Sequence, residues 1–298
     1  MGIYLKLVAC MCFWGGTWVA GKELAQHLSP FSAALLRFSS ASICLVIMTM
    51  LAEKRLPRLD RANLVPVLFL ALTGIFGNNA FFFAGVKVLP AGRAALIVAA
   101  LPSVVSLYTG LVQRERFTAS RVLGIMCAFC GVLLIVSGGN PAALLNGGLG
   151  IGDLYLFGCV LSLAAYTIAG VPVMQRMSPL STVTWACILG SLMFVPFALA
   201  TGFASQVGDL TVLSWSNAAF IGIFGTAFAF CWFYEGVRAI GPSRAGTFIN
   251  IVPVVAVCLA FLLLDEPPSP SLLTGGGMVL FGVWLTNHKT AVPRPAES

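Results

Sequence analysis

The sequence predicts an all-α integral membrane protein: ten transmembrane helices, arranged as two inverted five-helix repeats around a central cavity. Three observations predict it. First, the 298 residues are 59% hydrophobic and 9% charged, with mean hydropathy +0.96. A soluble domain carries about 25% charged residues, so this much apolar surface needs lipid as its solvent. Second, residues 74–132 recur as residues 225–283. At an offset of 151, Gly74, Phe82, Gly85, Arg93, Pro102, Glu115 and Gly124 meet Gly225, Phe233, Gly236, Arg244, Pro253, Glu266 and Gly275. At an offset of 149, Gly21, Gln26, Ser29 and Pro30 meet Gly170, Gln175, Ser178 and Pro179. Third, the basic residues gather in loops that fall on one side of the spans.

A span needs roughly 20 apolar residues. Charge-poor runs place ten, at 3–21, 31–52, 63–86, 91–112, 119–137, 151–175, 180–201, 213–237, 243–264 and 271–288. The breaks between them carry turn chemistry: Ser29-Pro30, Leu89-Pro90, Gly138-Gly139-Asn140-Pro141, Ser178-Pro179, Gly241-Pro242 and Pro267-Pro268. The runs are long and continuous, without the alternation of a barrel strand, so helices are implied. The first run is a retained span rather than a cleaved signal, because it aligns with residues deep in the second half. The halves are 1–140 and 141–298, the second ending in a short tail.

Orientation follows from charge. Of the 17 Lys and Arg, thirteen, among them Lys6, Lys54, Arg114, Arg121, Arg176 and Arg238, fall on the N-terminal side. Only Lys22, Arg37, Lys87 and Arg93 fall opposite. Both termini are therefore expected in the cytoplasm. Five spans per half force the second copy upside down. The loop charges agree: Arg114-Glu115-Arg116 is basic, and its mate Asp265-Glu266-Pro267 is not.

These two five-helix copies resemble the drug/metabolite transporter superfamily. The resemblance also rests on the segment from Phe13 to Trp18 (FWGGTW) and on the repeated Gly85/Gly236, Arg93/Arg244, Pro102/Pro253 and Glu115/Glu266 pattern. It is to the EamA-type ten-helix exporters and covers nearly the whole chain. Within that group the sequence is similar to the YddG-type exporters of aromatic amino acids. The resemblance implies a helical basket in a bacterial inner membrane, a central cavity between the halves and alternating access.

In an inverted-repeat transporter the site lies near mid-membrane, between the copies, and polar residues at that depth mark it. Asn78 and Asn79 lie well inside the third span, with Phe82 and Phe83 one turn later on matching faces. Trp14 and Trp18, about 12 and 18 Å along the first helix from residue 6, are not both interface residues. Tyr166, mate of Thr17, is the matching position in span six. Trp232 shares a face with Phe228 and Glu235, and Thr247 shares one with Asn250. Pro102 and Pro253 interrupt the hydrogen-bond ladder in both copies, freeing the carbonyls of Val98 and Ile249; the alternatives are a plain packing kink and a gating role, and their occurrence in both copies favours gating. Arg93 and Arg244 begin their helices, where a cation opposes the helix dipole. They either snorkel to the headgroups or meet a substrate carboxylate, Glu235 or another acid. Glu235 is the one carboxylate placed to couple protons, near the cytoplasmic end of its span.

Other functions fare worse. His27 and His288 are far apart and near span ends, and no GxSxG or HExxH sequence occurs, so an enzyme is not expected. The nine cysteines fall in apolar runs, and Cys127-x-x-Cys130 lacks a second pair, so no metal is expected. No Walker A sequence, cofactor motif or nucleic-acid partner is indicated. A channel would show a charge ring or filter loop. Nucleotide-sugar transport on this scaffold would need several deep cations. The expected cargo is a neutral, chiefly aromatic amino acid, with lipid or another metabolite as the alternative.

Overall fold

A computed structural model gives the structure of the chain, describing residues 2–54, 59–114, 118–140 and 149–287. Among these, every regular element is helical. We number the long helices α1 (Ile3–His27), α2 (Pro30–Glu53), α3 (Arg61–Val88), α4 (Ala91–Leu111), α5 (Ala119–Val136), α6 (Ile151–Met174), α7 (Pro179–Ala200), α8 (Val212–Ile240), α9 (Arg244–Leu264) and α10 (Pro270–Asn287). Nine of them, α1 to α9, are long and apolar enough to cross a membrane. The apolar part of α10, Pro270–Thr286, is shorter. The expected span end at His288 and the loop residues Glu115 and Arg116 lie outside the described residues.

The turn chemistry acts where the sequence places it. Ser29 and Ser178 each cap a helix that begins with proline, accepting from the amide two residues beyond that proline at 3.1 Å. Asp60 caps α3 through Asn63 at 2.9 Å. Gly241 holds φ +86°, a left-handed conformation that glycine adopts without a Cβ penalty, and lets the chain reverse into α9.

By contact the chain forms two compact units. One is Met1–Val98 with Gly150–Pro267; the other is Ala99–Leu149 with Pro268–Ser298. They cut across the sequence halves 1–140 and 141–298, each drawing helices from both.

In the larger unit α1 packs on α8 and α9, α6 packs on α3 and on the start of α4, and α2 packs on α7. Small residues set these distances. Gly74 lies against the ring of Tyr166, and Gly225 against the methyl of Thr17. Gly85 faces Leu156, whose Cδ2 would stand 2.7 Å from an added Cβ, and Gly236 faces Leu7. In each second contact the glycine lies 151 residues later and its partner 149 residues earlier. In the smaller unit α5 and α10 touch through paired glycines. A Cβ on Gly124 would lie 2.6 Å from the carbonyl oxygen of Gly282, and one on Gly131 would lie 2.5 Å from that of Gly275. No side chain fits between backbones this close.

Two helices contain π-helical segments, at corresponding places. Ala71–Gly77 in α3 and Phe220–Phe228 in α8 are π-helical. Such turns are rare and concentrate at functional sites. Two further irregularities precede prolines. The helix of α4 is broken at Ala99–Ala100 ahead of Pro102, and α9 passes through a 3-10 turn at Phe248–Asn250 ahead of Pro253.

Candidate substrate site

The two π turns of the larger unit meet one side chain. Arg37 lies on α2, seven residues past Pro30, or about 10 Å along the helix. Its Nη1 donates to Asn79 Oδ1 at 3.0 Å, and its Nε donates to Thr226 Oγ1 at 3.3 Å. Asn79 follows the π turn of α3; Thr226 lies within that of α8. Both also serve their own helix. The Asn79 amide donates to the carbonyls of Ile75 (2.9 Å) and Gly74 (3.4 Å), and the Thr226 hydroxyl donates to that of Ile221 (2.9 Å). The wider π turn leaves carbonyls for side chains to satisfy, and the same side chains then turn an oxygen toward Arg37.

Aromatic faces complete the surroundings. The guanidinium carbon lies 5.2 Å from the ring centre of Phe38 and 5.7 Å from that of Phe82, within cation–π range. Phe82 in turn stands edge-on to Trp18 with centroids 4.9 Å apart. Gly21 makes room, since a Cβ there would lie 2.8 Å from the Phe82 ring. Asn79, Phe82 and Trp18 thus converge, and Tyr166 stands on the neighbouring turn against Gly74.

The remaining expected residues fall elsewhere. Asn78 accepts from Cys159 Sγ on α6 at 3.0 Å, a bond between helices. Phe83 has no accessible surface and packs edge-on against Phe82. The expectation that it lines a cavity is corrected: its ring is enclosed. Trp14 and Trp232 join an apolar cluster around Cys10, Met11 and Ala229. Trp14 lies on Phe230 and Phe233, Trp232 on Phe13 and Phe228. Asn250 is partly buried; Thr247 and Arg244 are exposed. Pro253 is buried and Pro102 partly so.

Acids and bases near the helix ends pair with one another. Arg93 donates to Asp153 at 2.7 Å, and Asp153 also accepts from the amide of Gly150 at the start of α6. Lys22 meets Glu266 at 3.0 Å and the carbonyl of Leu89 at 2.8 Å, and Glu266 accepts from the amide of Ala91. Glu235 is bound to Lys6 at 2.5 Å. Arg93 therefore has a fixed acid partner, and that partner is not Glu235.

Sequence reasoning missed Arg37, having sorted it by side of the membrane alone. The signal was present: no other Lys or Arg lies so far into a charge-poor run. Thr226 carried no signal, because a threonine in an apolar helix is ordinary.

The model of the EamA-like transporter family matches residues 1–137 and 150–288. The chain belongs to that family. It is 28% identical over 294 residues to the uncharacterized transporter YyaM of Bacillus subtilis, covering 99% of this chain and 96% of the relative. It is 28% identical over 290 residues to an uncharacterized transporter of Archaeoglobus fulgidus, covering 96% and 99%. A probable terminal-alkyne amino-acid exporter of Streptantibioticus cattleyicolor is 26% identical over 286 residues, covering 92% and 91%. The fold is shared with a protein solved by crystallography, at TM-score 0.65 and 19% identity, covering 95% of both chains. This EamA-like protein is thus a multi-pass membrane transporter, and its named relatives are transporters rather than enzymes.

Proposed function

We propose that this EamA-like transporter exports neutral, chiefly aromatic amino acids from the bacterial cytoplasm by alternating access. In this reading ten helices form two inverted repeats, both termini face the cytoplasm, and the cargo binds where the copies meet. The observation that carries the substrate is the convergence of the Asn79 amide with the Phe82 and Trp18 rings beside two π turns. An amide offers polar recognition, and edge-on aromatic faces accept a flat apolar side chain. The amino-acid exporter of Streptantibioticus cattleyicolor supports the cargo class.

Inversion is supported by contacts that recur with partners exchanged. Gly74 with Tyr166 becomes Gly225 with Thr17, and Gly85 with Leu156 becomes Gly236 with Leu7. The pair of Gly124 with Gly282 becomes that of Gly275 with Gly131. Arg114 and Asp265, which are mates, both lie just beyond their helices at positive φ. Gating at Pro102 and Pro253 follows from the interrupted ladders before each. Under the proposed orientation the Lys22–Glu266 and Arg93–Asp153 pairs hold the outer ends and Lys6–Glu235 the inner ends. Alternating access then means parting one set while the other forms.

The test is efflux from proteoliposomes across a panel of labelled amino acids. Faster movement of phenylalanine and tryptophan than of charged amino acids is expected. Equal leakage of every solute would indicate a channel, and no movement of any amino acid would return the lipid or metabolite alternative. Tags placing the two termini on opposite faces would end the inverted-repeat reading.

A further inference from the structure

We propose that Arg37 binds the carboxylate of the cargo, and that a free carboxylate, not an amine, is what the transporter requires. The proposal rests on the amino-acid exporter reading and names the group that selects within it.

The charge of Arg37 is unbalanced. Lys6, Lys22 and Arg93 each face an acid. Arg37, deeper in its helix than any of these, has only neutral partners: Asn79 Oδ1, Thr226 Oγ1 and the faces of Phe38 and Phe82. Among the described residues no carboxylate pairs with it. A buried charge is costly unless it is paired and hydrogen-bonded, and intramembrane arginines mark substrate pathways.

The guanidinium is also incompletely used. It presents its N–H groups in a rigid fork. Thr226 takes the Nε–H and Asn79 takes one on Nη1; Nη2 has no partner among the described residues. Nη2 is not one of the enclosed atoms that lack a partner, so it keeps some accessible surface. A carboxylate can accept from the N–H groups left over, one on Nη1 and two on Nη2. The two existing bonds come from different helices, α3 and α8, and hold the fork at a fixed angle before any cargo arrives. Phe82 and Trp18 lie alongside to take the rest of an aromatic acid. Among the described residues no acidic side chain bonds to this cluster to meet an ammonium group, which makes the amine the dispensable end.

The experiment uses the full-length protein in proteoliposomes loaded with labelled L-phenylalanine. Competitors are 3-phenylpropionate, which keeps the carboxylate and lacks the amine, and L-phenylalaninamide, which keeps the amine and lacks the carboxylate. In the wild type 3-phenylpropionate is expected to compete within a few-fold of phenylalanine, and the amide at least tenfold more weakly. R37Q should raise KM for phenylalanine at least tenfold and abolish the preference for acid over amide; R37K should restore part of the preference. If the wild type moves phenylalanine but the amide competes as well as the acid, the proposal is overturned. R37Q with unchanged KM and preference overturns it equally. If the wild type moves no amino acid, the exporter reading fails. Thermal stabilisation of the purified protein by 3-phenylpropionate but not by the amide would then still support carboxylate binding, and its absence would sink that too. Should R37Q fail to fold, the wild-type competition series decides alone.

Discussion

The π turn of α3 and the π turn of α8 share a backbone and differ in what they carry. Both sit at the same place in their copy, both are gripped by a small-residue contact, and both return a side-chain bond to a carbonyl five residues back. The grip differs: an aromatic ring on Gly74, a threonine methyl on Gly225. So does the polar residue. Asn79 corresponds to Phe230, and Thr226 to Ile75. The polar groups thus arose at non-equivalent positions, yet both reach Arg37, whose own counterpart at offset 149 is Ala186. The recurring glycine contacts supply the frame, and local divergence supplies the chemistry. Arg37 bonds to both segments and has no arginine at its own counterpart position.

The largest effect is expected at the grip. Gly74→Ala drives a methyl into the rigid Tyr166 ring and should cost about 3 kcal/mol, the upper end of ordinary overpacking. Gly225→Ala meets one methyl and should cost about 1 kcal/mol, part of it offset by the better helix propensity of alanine. Unfolding in detergent should rank them so. Equal losses would mean that ring rigidity is not what separates the two turns.

Next come the polar residues. Asn79→Ala removes the bond from Arg37 and two bonds to backbone carbonyls, and should cost about 2 kcal/mol along with most phenylalanine efflux. Thr226→Val keeps the shape, loses fewer bonds and should cost about 1 kcal/mol, with a smaller fall in efflux. A larger loss for Thr226→Val than for Asn79→Ala would reverse the roles given to the two turns.

A third contrast separates packing from binding. Trp18→Ala should lower efflux by removing the neighbour of Phe82, whereas Trp14→Ala, in the apolar cluster, should lower melting temperature more than it changes KM for phenylalanine. The same KM change in both would place Trp14 at the site. The smallest effect is expected for Lys22→Gln. Partly exposed ion pairs contribute about 0–1 kcal/mol, so unfolding should hardly move. Labelling of single cysteines near Lys22 and Glu266 should nevertheless rise as their contact is lost. Unchanged labelling would remove that pair from the proposed gate.

Much of this was legible in the chain. The spans, the serine–proline helix starts at 29–30 and 178–179, and the breaks before Pro102 and Pro253 are local properties of short segments. Depth pointed to Asn78 and Asn79, because lipid cannot satisfy polar groups and so makes them informative; Phe82 and Phe83 followed from lying one turn later, and Trp18 from its distance along α1. Depth alone did not separate Asn79 from Asn78, or Phe82 from Phe83. Adjacent residues on a helix face directions about 100° apart, and only the neighbouring helices decide which direction leads to Arg37 and which to Cys159 or to enclosed packing. The π turns left no local signature beyond Gly74 and Gly225, since an apolar run reads alike in either geometry.

The sequence by itself determined how many apolar runs there are, where they start and stop, and that one half is kin to the other. In hydrocarbon each segment must satisfy its own backbone, which makes run length and turn residues sufficient. Only the tertiary structure decided that Arg37 meets Asn79 and Thr226 rather than an acid. That outcome depends on how close three helices approach, and the approach is fixed by glycine contacts between residues far apart in the chain.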